Sequence, residues 1–114
     1  MRAINCSRGV PVAHSVHRAT GLWDRTRGLL GRKGLEPGSG FLLEPCSGIH
    51  TVGMTFPIDA IFLSKECAVV HLVREMRPMR FSRYVFRAHS VLELPAGTIR
   101  ETGTQMGDRL AFEG

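Results

Sequence analysis

The sequence predicts an α+β fold: a compact, mostly antiparallel β domain, barrel-like or sandwich-like, with one or two short helices. Three observations predict it. Short apolar runs, several rich in β-branched residues, recur between turn-forming Gly, Pro, Ser and Asp. Only Arg18 to Leu30 and Ala96 to Thr102 read as helical, the first by apolar spacing and the second as one or two turns. The 114 residues suit one domain, and 43% hydrophobic with 22% charged residues suits a globular chain and excludes a disordered one.

In chain order, Ala3 to Arg8 has weak alternation and is expected as an edge strand, interrupted by Gly9-Val10-Pro11 because proline lacks a ladder donor. In Arg18 to Leu30, Ala19, Leu22, Trp23, Leu29 and Leu30 fall on one face of a helix and Asp24, Arg25 and Arg27 on the other. Lys33 to Gly40, rich in Gly and Pro, is a connector. Phe41–Leu43 and Ile49–Met54 read as strands, and Ile58–Leu63, opened by Pro57, is the clearest strand of all. Ser64-Lys65-Glu66 turns the chain into Cys67–Val73, an antiparallel partner, since three residues cannot reach a parallel one. Arg74 to Arg87, polar and broken by Pro78, is expected to run over the surface. Val91–Leu94 is a strand stopped by Pro95, Ala96 to Thr102 is helical up to Gly103, and Leu110–Phe112 closes the chain after the Gly107-Asp108 turn.

The net charge is +5, and thirteen of the fifteen basic residues are arginines. Cys6, Cys46 and Cys67 form no CxxC pair and no zinc spacing, which fits reduced thiols in a reducing compartment. The N-terminal residues hold no signal-peptide apolar core, and no stretch reaches the length of a membrane span. A cytoplasmic protein without a membrane span is the expectation.

The order of several blocks resembles a known family. Arg27-Gly28-Leu29-Leu30-Gly31-Arg32, Gly40-Phe41-Leu42-Leu43, Ile49-His50-Thr51-Val52-Gly53-Met54, Phe56 to Leu63, Val91 to Gly97 and Gly107-Asp108 are similar, in register, to domain-of-unknown-function family 192 (uncharacterised protein family 0127). The resemblance spans about residues 18–112. It implies a compact, mostly β domain with a helix near its start, and it implies no activity. Many relatives carry a tryptophan and an asparagine where this chain has His50-Thr51, so a role resting on those residues does not transfer.

The segment Cys46 to Asp59 is where chemistry is expected to sit. In an extended strand Cys46 and His50 stand ~13 Å apart, so a thiolate–imidazolium pair requires a bend at Ser47-Gly48. Cys46 otherwise reads as an inert buried thiol. Asp59, at the head of an apolar strand, either satisfies backbone donors or belongs to a site. Glu93 shares a face with Val91 and is expected to meet solvent. Asp108 reads as a turn residue. His50, Asp59, Glu93, Asp108 and Cys46 lack the paired spacing of a structural metal site, so neither metal nor cofactor is expected.

The other feature is the segment from Arg74, where Arg74, Arg77, Arg80, Arg83 and Arg87 stand against the single Glu75, interleaved with Phe81, Tyr84 and Phe86. Such a pattern suits a nucleic acid or another anion. The plainer expectation is a solvated loop whose aromatics tuck into the core.

The favoured reading is a binding or interaction module for an unknown small ligand or protein. Its pocket would lie near His50, Thr51, Met54 and Asp59, with Glu93 a further candidate contact. The alternatives are an enzyme using Cys46, His50 and Asp59, which the lack of a complete constellation disfavours, and nucleic-acid or anion binding through Arg77, Arg80, Arg83 and Arg87.

Overall fold

The computed structural model describes residues 1–19 and 34–114. Its strands are β1 (Arg2–Asn5), β2 (Val10–Ala13), β3 (Ser15–Ala19), β4 (Ser39–Leu43), β5 (Ile58–Leu63), β6 (Val69–Met76), β7 (Ser90–Pro95) and β8 (Leu110–Glu113). One short helix, α1 (Thr98–Thr102), lies among the described residues. The domain is mostly β. A three-stranded sheet has the order β2-β1-β8 and a five-stranded sheet the order β3-β4-β7-β5-β6; only β3 and β4 pair in parallel.

Each sheet contributes side chains to a shared core. Ala3, Val12 and Leu110 come from the smaller sheet, and Leu42, Ile61, Leu63, Leu92 and Leu94 from the larger one. Only His14 separates β2 from β3, so the chain passes from one sheet to the other there. At the far edge Val69 N–H bonds to Asp108 O and Leu110 N–H to Cys67 O, which ties the sheets together. The described strands close no barrel.

The second face of the large sheet is covered as well. Phe41, Leu43 and Ile58 pack with Met54 and Met76, while Ala60, Phe62 and Val91 pack with Val85 and Ala88. Every residue of β5 is therefore buried, and the strand reads as a continuous apolar run rather than as an alternation. The β5–β6 hairpin, the β7 strand, β8 and the helical turn ending at Gly103 (φ 71°) match the expectations from the pattern.

Four expectations are corrected. The segment expected as an edge strand over Ala3–Arg8 is the shorter β1, and it is the middle strand of its sheet because β8 returns along its free side. Of the helix expected over Arg18–Leu30, Arg18 and Ala19 belong to β3, and the rest lies outside the described residues. Ile49–Met54 is not a strand: it turns at Val52-Gly53, with Gly53 at φ 88°, and Met54 N–H bonds back to Thr51 O. Its other backbone bonds go to the loop of residues 77–89, where Thr51 N–H meets Arg80 O and Ser82 N–H meets Ile49 O. Finally, Arg74 lies inside β6, so the surface excursion begins only after Met76.

Candidate functional site

Asp59 is fully buried, and its carboxylate is occupied by backbone donors. Between Ile58↔Met76 and Ala60↔Val73, Arg74 and Glu75 of β6 oppose the single residue Asp59, a β-bulge with Glu75 at φ 50°. Asp59 Oδ1 accepts the Glu75 N–H at 2.8 Å, a donor the bulge has taken from the ladder. Oδ2 accepts Gly97 N–H at 3.1 Å and Ile99 N–H at 2.8 Å. Gly97, at φ 97°, has no side chain with which to cap α1, so Asp59 supplies the cap from another strand.

Asp59 also borders a cavity of about 260 Å³ lined with Arg74, Glu75, Gly97, Arg100 and Gln105. That volume falls below the roughly 300 Å³ at which ligand pockets usually begin. Its lining sets Arg74 and Arg100 against Glu75 and Asp59, so the cavity has little net charge with which to select an ion.

Glu93 points the other way. It pairs across the ladder with Phe41 and Ala60, whereas Asp59 pairs with Leu94, so the two carboxyls occupy opposite faces of the large sheet. Glu93 is 4% exposed, and its carboxyl makes no hydrogen bond or ion pair among the described residues. Burial pushes its carboxyl up to about 8, so it is largely protonated at neutral pH. The solvent-facing position expected for it is corrected, because the Val91 face is covered by Val85, Ala88 and Ile49.

The remaining candidates separate too. The Cys46 thiol donates to Gly48 O at 3.2 Å, so the bend at Ser47-Gly48 exists but turns the sulfur toward a carbonyl. His50 is exposed; its Nδ1 accepts the Val52 N–H at 3.2 Å, and its ring lies 5.7 Å from that of Phe81. Met54 is a core residue. Thr51 is fully buried, where it acts as a peg. Its Oγ1 donates to Arg77 O at 2.6 Å and accepts the Arg80 N–H at 2.9 Å, while its carbonyl accepts the Met79 N–H at 3.1 Å. Cys46, His50 and Asp59 do not form a hydrogen-bonded triad, and His50, Asp59 and Glu93 do not share one cavity. No group of three metal-ligating side chains forms among the described residues.

Asp108, read as a turn residue, also anchors a polar network. Burial raises its pKa, but hydrogen bonds from Asn5, Arg8 and the Gln105 N–H outweigh that effect and hold it below the usual carboxylate value. Asn5 Nδ2 further donates to Thr104 Oγ1, so β1 is bound to the chain before β8.

What the Thr51 peg supports is the loop of residues 77–89. Val85 N–H bonds to Ser47 O, and Ser47 Oγ donates to Ala88 O. Only Val85 and Ala88 of this loop turn into the core. Phe81, Tyr84 and Phe86 are 76%, 69% and 86% exposed, and Met79 is 61% exposed, so the expected tucking of these aromatics into the core is corrected. Backbone bonds at residues 80, 82 and 85 tie the loop down while these side chains stand in solvent. Arg77, Arg80, Arg83 and Arg87 are exposed alongside the rings, and none is in an ion pair among the described residues. No acidic residue falls between Arg77 and Leu92.

Fold and surface define the class: a small two-sheet β domain presenting a pinned arginine–aromatic loop. The chain belongs to domain-of-unknown-function family 192, the uncharacterized ACR family, whose profile matches residues 3–112. It is similar to a solved structure from Sinorhizobium meliloti described as a candidate transcription regulator, at 27% identity and TM-score 0.79, covering 96% of this chain and 89% of that one. It shares its fold with a protein of unknown function from Novosphingobium aromaticivorans, at 18% identity and TM-score 0.83, covering 97% and 82% of the two chains. No curated protein matches it. No helix among the described residues is long and apolar enough to cross a membrane.

Proposed function

We propose that this domain is a binding module for an extended polyanion, engaged by His50 and the loop of residues 77–89. One observation carries the reading: four exposed arginines and four exposed large apolar side chains share a loop whose backbone is tied to Ile49, Thr51 and Ser47. Large apolar groups are ordinarily exposed singly, and a cluster of them rimmed by charge marks an interaction surface. Arginine suits the role because its planar fork meets phosphate or sulfate oxygens in pairs. A tied backbone also lowers the ordering cost of binding. The description of the S. meliloti relative as a candidate transcription regulator fits a nucleic-acid partner, and three free cysteines fit a protein in a reducing, cytoplasmic compartment.

Heparin chromatography tests the reading. The wild-type domain is expected to be retained at low salt and to elute as salt rises, and a variant with Arg80→Gln, Arg83→Gln and Arg87→Gln is expected to elute far earlier. Flow-through of the wild type at low salt, or equal retention of the variant, would remove the proposal.

A further inference from the structure

Resting on that reading of the same loop, we infer that the polyanion is a single-stranded nucleic acid whose bases stack on Phe81, Tyr84 and Phe86 while Arg77, Arg80, Arg83 and Arg87 hold its phosphates. The support lies in how rings and cations are arranged. A single strand offers one flat base and one phosphate per nucleotide, and a surface that reads it needs the two contacts interleaved. Along Arg80-Phe81-Ser82-Arg83-Tyr84-Val85-Phe86-Arg87 they alternate every one to three residues, and both kinds of side chain stay in solvent.

Membranes call for a different arrangement. A segment lying at a lipid surface gathers its apolar side chains on one face and its cations on the other, so that the apolar face can sink. Interleaved arginines on a loop held by backbone bonds at residues 80, 82 and 85 would have to be dragged in with the rings.

Duplex DNA fits less well. A helix or a two-stranded ribbon normally enters the major groove. Here the loop forms only the isolated bridge His50↔Phe81. That bridge has a use in the single-strand reading, because it holds the His50 ring beside Phe81, with centroids 5.7 Å apart and planes tilted by 44°, so that a second ring borders the one open to a base. Phenylalanine and tyrosine have few torsions to freeze, so exposed rings on a fixed backbone are well prepared for stacking.

The experiment is fluorescence anisotropy with a labelled single-stranded oligonucleotide of about 15 nucleotides. A duplex of the same sequence and vesicles of anionic phospholipid serve as competitors. The single strand is expected to bind at least tenfold tighter than the duplex. Its affinity should fall with salt along a log–log slope of about −3, as four neutralised phosphates require. A Phe81→Leu, Phe86→Leu variant, altered only at exposed positions, should lose tenfold or more in single-strand affinity while its heparin elution stays put. If the duplex binds as well as the single strand, or the ring variant binds as tightly as wild type, stacking is overturned and the polyanion reading stands. Preference for the vesicles also overturns it. Failure to bind heparin and the oligonucleotides alike removes both.

Discussion

Three backbone N–H groups from two different elements end on the Asp59 carboxylate. Each buried donor left unsatisfied costs about 1–3 kcal/mol. Asp59→Ala is therefore expected to destabilise the domain by about 3 kcal/mol or more, read from the urea midpoint at unchanged slope. Asp59→Asn keeps one acceptor oxygen and should fall between. An Asp59 that served only a ligand would leave the midpoint where it was, and that result would reverse the assignment. The sequence placed this carboxylate at the head of an apolar strand and left two roles open. What it did not show was the bulge at Glu75, created by register against β6, or a glycine cap on a helix forty residues away. The same holds for Glu93: alternation places it on the Val91 face, but whether that face is wet depends on residues 85 and 88, which approach from a loop.

At the level of elements, the central strands were legible because their apolar runs are bounded by Pro57, Ser64 and Pro95. The loops that build the candidate surface were not. Ile49–Met54 alternates like a strand, yet its backbone partners are thirty residues away in a segment that is itself irregular. Strand β3 carries no apolar run, because only Val16 and Ala19 of its five residues are buried, as befits an edge. The Thr51 peg makes the coupling between the two loops testable. Thr51→Val keeps the shape but removes the bonds to Arg77 O and Arg80 N–H. The expected cost is about 1–3 kcal/mol, with faster amide exchange at Arg80. Affinity for heparin should also weaken, although every arginine and ring is retained, because the loop must then be ordered on binding. Unchanged exchange at Arg80 would show that the loop holds its form without the peg.

For the whole molecule, two buried carboxyls with opposite shifts each tie stability to pH. An unfolded glutamate loses its proton near 4.5, while folded Glu93 keeps it to about 8. Between those values the native state holds a proton that the unfolded state has released, so stability falls as pH rises through the window. The full loss is on the order of 5 kcal/mol, a large share of what a domain of this size possesses. Asp108 acts at the other end. Its folded value lies below the ordinary 3.8, so its contribution is present above that pH and is lost as pH falls through the folded value. Between them these two carboxyls favour a pH of about 4 to 5, while His71, whose pKa burial lowers, works against folding as pH falls below its ordinary 6.5. Glu93→Gln, which keeps the side-chain shape without an ionisable proton, should flatten the alkaline limb, so that the variant exceeds wild type at pH 8.5 by more than it does at pH 5. Urea midpoints at the two pH values check this. A wild-type midpoint that is the same at both would mean that Glu93 ionises freely in the folded protein, and with it that the covered face of the large sheet admits water.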